Sequence, residues 1–153
     1  DTFVTKKIVK ALCKIKYKKQ KKLFLGNLYS KRDWGHAKDY VEAMWKILQN
    51  KKPDDFVICT GKQYTIKYFV NLVAKKLNMK IFWKGKGLSE KALDSNGQII
   101  IECKKKYFRP SEVNSLIGDA TKAKKILKWK PYYNLERLVD GMIGFEIKQI
   151  LDE

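Results

Sequence analysis

Between two stretches of helical period the chain places an unbroken apolar run, Phe56-Val57-Ile58-Cys59, closed by Thr60-Gly61. Four apolar residues in succession, with no polar alternation, fit a strand covered on both faces, as in a parallel sheet flanked by helices. Shorter runs repeat the pattern. Phe24-Leu25 ends in the turn pair Gly26-Asn27, Ile81-Phe82-Trp83 runs into glycine and charge, and Ile99-Ile100-Ile101 follows residues 84–97, which read as a loop or broken hairpin.

The segments between these runs have helical spacing. Val4, Ile8, Leu12 and Ile15 make one face behind a cap at Thr2, and residues 39–48 put Val41, Met44, Trp45 and Leu48 on one face. Thr65 opens a helix with Phe69, Val70, Val73 and Leu77 inward; Asp119 opens another with Ala123, Ile126 and Leu127 inward, stopped by Pro131. Asn134 opens the last, where Leu135, Leu138, Val139, Met142 and Ile150 are mainly core. Alternating strands and helices give an α/β fold. With 153 residues, no internal repeat and no long linker, one domain is expected.

Four tryptophans, eight tyrosines and seven phenylalanines supply apolar material that a disordered chain lacks. The net charge of +18 raises nucleic acid as a partner, but the lysines are spread along the whole chain, and the pattern fits a solvated surface better. Cys13, Cys59 and Cys103 are too far apart for a Cys-x-x-Cys site and read as ordinary thiols, and one histidine leaves no set of zinc ligands. No apolar run is long enough for a membrane span, so a cytoplasmic protein bound to neither membrane nor nucleic acid is expected.

Only three arginines occur among 34 basic side chains, and two of them stand inside distinctive runs. Arg32 lies in Lys31-Arg32-Asp33-Trp34-Gly35-His36-Ala37, and Arg109 in Tyr107-Phe108-Arg109-Pro110-Ser111-Glu112. A guanidinium offers a planar fork of donors that fits two phosphate oxygens at once, which a lysine cannot do. Together the two arginines suit a nucleotide diphosphate, although taken singly each reads as structural sooner than functional, Arg32 as a surface-turn residue and Arg109 as the residue before Pro110. Glu112 can accept from both hydroxyls of a ribose, or pair with Arg109. Asn27 offers a donor and an acceptor, and Gly26 lets a flat base approach the backbone. His36 has no nucleophile or metal partner near it in sequence and reads as structural.

These runs, with Thr2-Phe3-Val4-Thr5-Lys6-Lys7-Ile8, Lys38-Asp39-Tyr40-Val41-Glu42-Ala43-Met44-Trp45, Gly118-Asp119-Ala120-Thr121-Lys122-Ala123-Lys124 and Leu127-Lys128-Trp129-Lys130-Pro131, closely resemble the GDP-mannose 4,6-dehydratase family of extended short-chain dehydrogenases/reductases. The likeness covers essentially the whole chain. It implies the last strand or strands of a Rossmann-type sheet plus a small α/β substrate-binding domain. It also implies that Arg32 and Arg109 close on the diphosphate of GDP-mannose, that Glu112 takes the ribose, and that Leu25, Gly26 and Asn27 lie against guanine with Lys7 and Val4. The family carries a glycine-rich dinucleotide turn and a Tyr-x-x-x-Lys pair, and neither is found here: Tyr17 to Lys21 matches only within a lysine run, and Gly85-Lys86-Gly87 lacks the further glycine.

The chain, which opens on Asp1, therefore reads as the carboxy-terminal half of a longer homo-oligomeric enzyme, a dimer or tetramer. NADP would be bound by an amino-terminal half, and this half would supply no catalytic, cofactor-binding or metal-binding residue. The alternatives are a truncated GDP-sugar-binding module without activity and a sibling dehydratase or epimerase acting on another sugar nucleotide.

Overall fold

A helix whose apolar residues recur every three to four positions must bury that stripe, and α1 (Val4–Lys16) does so through Ile8, Val9 and Leu12, all fully buried. Lysines cover its other faces. The computed structural model describes residues 3–108, 111 and 113–152, which excludes the Thr2 cap expected from the sequence. Within these residues the chain divides into two compact units built from discontinuous segments, with no linker marking the division.

The first unit comprises residues 1–30, 65–114 and 139–153. Its sheet contains β1 (Leu23–Leu25), β4 (Phe82–Lys84), β5 (Lys91–Leu93) and β6 (Ile99–Cys103), in the order β1-β6-β5-β4. β1 runs parallel to β6, with Leu23 opposite Ile101 and Leu25 opposite Cys103, while β5 is antiparallel to both its neighbours. The 84–97 stretch is thus a broken hairpin: a short 3-10 turn, Gly87–Ser89, separates β4 from β5. Helix α3 (Ile66–Lys76) packs on α1 and is capped as the sequence predicts, the Thr65 hydroxyl accepting from the Tyr68 amide at 3.0 Å. Phe69, Val70 and Val73 of α3, Ile101 of β6, and Val139 and Ile150 from the carboxy-terminal segment complete the core.

The second unit comprises residues 31–64 and 115–138. It contains β2 (Lys31–Arg32), α2 (Ala37–Leu48), the first residue of β3 (Tyr64–Thr65), α4 (Thr121–Ile126) and the start of α5 (Leu135–Leu151). Trp129 is fully buried at its centre among Ala43, Ala123 and Leu127. The Trp129 indole donates to the carbonyl of Asp39 at 2.9 Å, and the Asp39 carboxylate accepts from the Tyr133 amide at 3.0 Å. A buried carboxylate needs such a donor to offset its desolvation.

Three expectations are corrected here. Residues 56–59 form no strand: no described segment pairs with them, and although Cys59 is buried, Val57 is 55% exposed. Val41, Met44, Trp45 and Leu48 of α2 share a face, but among the described residues it is left bare, with Leu48 81% exposed. The opposite face, Ala43 and Asp39 with Tyr40 and Ile47, turns inward because the small Ala43 accommodates the Trp129 ring. In α4, Ile126 points outward, since a helix of six residues has room for only one buried row, here Ala123 and the following Leu127.

Candidate functional site

Two motifs far apart in sequence meet at Tyr107. At the end of β1 the Leu25 carbonyl accepts from the Lys104 amide at 2.9 Å, which draws the 3-10 turn Lys105–Tyr107 against Gly26. The space that a side chain on Gly26 would need is taken by the backbone of Tyr107, so glycine is required here for packing of protein on protein. The approach of a base, the reason suggested by the sequence, is not what sets this requirement. Lys7, in the first turn of α1, places its ammonium 3.8 Å from the centre of the Tyr107 ring. Val4 stands one turn earlier on the same side of α1 and is half-buried.

The charge at Lys7 is tuned. Burial pushes its pKa down, Tyr107 pulls it back in part, and neighbouring Lys106 lowers it again, leaving a net decrease. Lys7 also edges a cavity of about 310 Å³ whose other walls include Lys10, Lys14, Lys22, Phe24 and Tyr107. Cations around aromatic faces make a surface that takes a flat, anionic ligand. Asn27, next along, uses its side-chain oxygen to accept from the Tyr29 amide at 2.9 Å, a local Asx turn.

In the second unit Arg32 donates from Nη1 to its neighbour's carbonyl, Lys31, at 2.8 Å. The Asp33 carboxylate accepts from the Thr60 amide (3.1 Å) and hydroxyl (2.5 Å) and from the Gly61 amide (2.8 Å), clasping the turn after residues 56–59. His36 is structural, as read from the sequence: it caps α2 by accepting from the Lys38 amide at Nδ1, 3.1 Å, and stacks on Tyr133 at 4.0 Å.

Of the residues the sequence singled out, the structure gathers Lys7, Leu25 and Gly26 around Tyr107, with Asn27 following directly in the turn. Arg109 and Glu112 lie outside the described residues. Sequence reasoning missed Tyr107 as the meeting point; the signal was its place at the head of the Arg109 run. It also missed Glu90, a buried carboxylate held by Lys67 and Tyr29, which no local pattern announces.

The family model of GDP-mannose 4,6 dehydratase matches residues 1–142. The chain belongs to that family. It is 44% identical over 147 residues to GDP-mannose 4,6 dehydratase 2 of Caenorhabditis elegans, covering 96% of this chain and 38% of that protein. The GDP-mannose 4,6 dehydratase of Homo sapiens is 44% identical, with 95% and 40% covered, and that of Vibrio cholerae serotype O1 is 41% identical, with 97% and 43% covered. The chain therefore spans about two fifths of the length of these curated relatives.

Among solved structures, RMD from Pseudomonas aeruginosa complexed with NADPH superposes with a TM-score of 0.77 at 16% identity, covering 97% of this chain and 44% of that one. The dTDP-glucose 4,6-dehydratase of Bacillus anthracis in complex with NAD gives 0.65 at 18%, covering 90% and 37%. These likenesses show the fold: part of a Rossmann-type short-chain dehydrogenase/reductase, in agreement with the mixed sheet and its parallel β1–β6 pair.

Proposed function

We propose that the chain is the GDP-sugar-holding part of a GDP-mannose 4,6-dehydratase, which converts GDP-mannose to GDP-4-keto-6-deoxymannose. One observation carries the reading: Lys7 and the Leu25-Gly26-Asn27 turn converge on Tyr107, the residue that leads into the Arg109 run. Membership of the family and the names of the relatives point the same way.

Gly61, Gly87 and Gly97 have positive φ and stand on exposed turns, and the space beside Gly85 is filled by Ser89. In this reading NADP would be held by residues outside the sequence, and would supply hydride chemistry at the hexose. The part played by this chain is position: Arg32 and Arg109 grip the diphosphate, Glu112 the ribose, and Val4, Lys7 and the 25–27 turn the guanine. A nucleotide fixed at several points presents its hexose in one geometry, which converts binding into rate. Buried, unpaired thiols at Cys13, Cys59 and Cys103 suit a reducing cytoplasm. The bare α2 face and residues 56–59 are then covered by the cofactor-holding half, in an enzyme that is a homo-oligomer.

Binding and turnover in the whole enzyme test this. Lys7→Met and Asn27→Ala each weaken GDP binding about tenfold, the scale of a hydrogen bond or cation contact at a half-buried site, and leave NADP binding unchanged. A wild-type enzyme that binds no GDP, or forms no keto sugar from GDP-mannose, overturns the reading.

A further inference from the structure

Glu90 is 2% exposed, on the short link between the Gly87–Ser89 turn and β5, where a carboxylate has no reason of packing to be. Its Oε1 accepts from the Lys67 ammonium at 2.5 Å and from the Tyr29 hydroxyl at 3.1 Å, while Oε2 has no partner among the described residues. Lys67 is held in turn over the Trp83 ring, 4.8 Å from its centre. Burial works against its charge, but the bond to Glu90 and the charge of Glu90 prevail and raise its pKa. The cluster is an ion pair wrapped in aromatic rings, and it is costly to bury unless its geometry matters.

What the cluster grips is the turn after β1. The Lys67 amide donates to the Leu28 carbonyl at 2.9 Å, and the Ile66 amide to the Ser30 carbonyl at 3.2 Å. Tyr29 lies between those two anchors and is the link to the base site. Its hydroxyl donates to Glu90, and its amide donates to the side-chain oxygen of Asn27. With one of that oxygen's two lone pairs engaged and the oxygen turned toward the loop, the Asn27 carboxamide is set to present its Nδ2 donors to a ligand. Guanine offers acceptors, O6 and N7, on its outer edge; adenine puts an N6 donor in place of O6. Donors presented in this way suit the O6 of guanine and are opposed by the N6 donor of adenine, N7 being common to both.

We infer that Glu90 is a positioning residue for base selection: acting through Tyr29, it fixes the Asn27 carboxamide so that the site favours guanine over adenine. This rests on the reading of the 25–27 turn as the base site. Nothing in the sequence marks Glu90 for such a role, since its effect passes through a hydroxyl and an amide of another residue.

The test is the ratio of GDP to ADP affinity in the whole enzyme, measured by calorimetry beside NADP affinity and melting temperature. Tyr29→Phe removes one oxygen from a half-exposed ring and leaves the fold intact; it lowers the ratio about fivefold, the size of a typical net hydrogen bond. Glu90→Leu lowers it as much, the double variant no further, and Glu90→Gln, which keeps an acceptor for Tyr29, restores most of it. NADP affinity stays constant throughout. If Glu90→Leu fails to fold, Tyr29→Phe alone decides: an unchanged ratio overturns the inference while leaving the GDP-binding reading in place. A wild-type enzyme that binds GDP and ADP equally overturns base selection itself, and one that binds neither overturns the reading beneath it.

Discussion

The carbonyl of Tyr107 stands where the first carbon of any side chain on Gly26 would have to go. That contact ties the end of β1 to the turn that opens the Arg109 run, and the neighbour is backbone, which cannot swing aside. Gly26→Ala therefore forces the two segments apart. The expected cost is about 1–3 kcal/mol, as for other overpacked sites, seen as a lower midpoint in chemical denaturation. GDP binding weakens as well, because Lys7 loses its place over the Tyr107 ring; a Gly26→Ala variant as stable as wild type contradicts the contact.

Arg32→Lys keeps the charge and loses the fork. If Arg32 takes the diphosphate, GDP binding in the whole enzyme falls by about 1.5–3 kcal/mol, the range for hydrogen bonds to charged groups. Guanosine, which has no phosphate, is held as before. Equal losses for GDP and guanosine would return Arg32 to a role in the fold.

The thiols of Cys13 and Cys103 are both pushed from 9.0 to about 11, chiefly by burial and next by the carboxylates of Glu146 and Glu90 respectively. At pH 8 their thiolate fraction is roughly a hundredfold below that of an ordinary cysteine, so reaction with a disulfide reagent is slow until the protein unfolds. The sign for stability follows. The folded state holds these protons where the unfolded state releases them, so stability is unaffected below about pH 9 and declines between pH 9 and 11. Rapid labelling of both residues in the native protein at pH 8 would contradict their burial.

Trp45 and Leu48 lie on the bare face of α2, 61% and 81% exposed. The chain on its own is expected to bind a hydrophobic dye and to self-associate. Trp45→Lys with Leu48→Lys suppresses both at little cost in helix content, because neither side chain packs in this chain. The same preparation, given NADP and GDP-mannose, forms no keto sugar. Turnover that survives repurification would show that the chemistry resides here after all.

Local signals in the sequence carried the elements they govern. Thr65 caps α3, Asn134 opens α5 by accepting from the Arg137 amide, and Ile8 and Leu12 of the α1 stripe are buried while Val4 and Ile15 at its ends are half-buried. Gly26-Asn27 ends β1 as a turn pair should. Of the candidate site, Lys7 and the 25–27 turn are legible through their runs. Residues 56–59 show where such reading stops: an apolar run reports a preference for a sheet, but a strand also needs a neighbour, and none is among the described residues. The face of α2 fails for a related reason. Periodicity finds an apolar stripe without saying what covers it, and Trp129, distant in sequence, turned the other face inward. Glu90 and Tyr107 act through tertiary partners, so no window of sequence contains their roles.

The parallel pairing of β1 with β6 also sets a schedule. Leu23 is matched to Ile101, and the first unit is closed only by residues 139–153. On a ribosome adding about 5–20 residues per second, β1 emerges several seconds before its partner strand exists. During that interval its ladder groups have no native strand to meet. Folding of this unit therefore waits until residues 139–153 have been made, and contacts of such long range close slowly. β1 stands exposed over that gap, and expression should respond to chaperone supply.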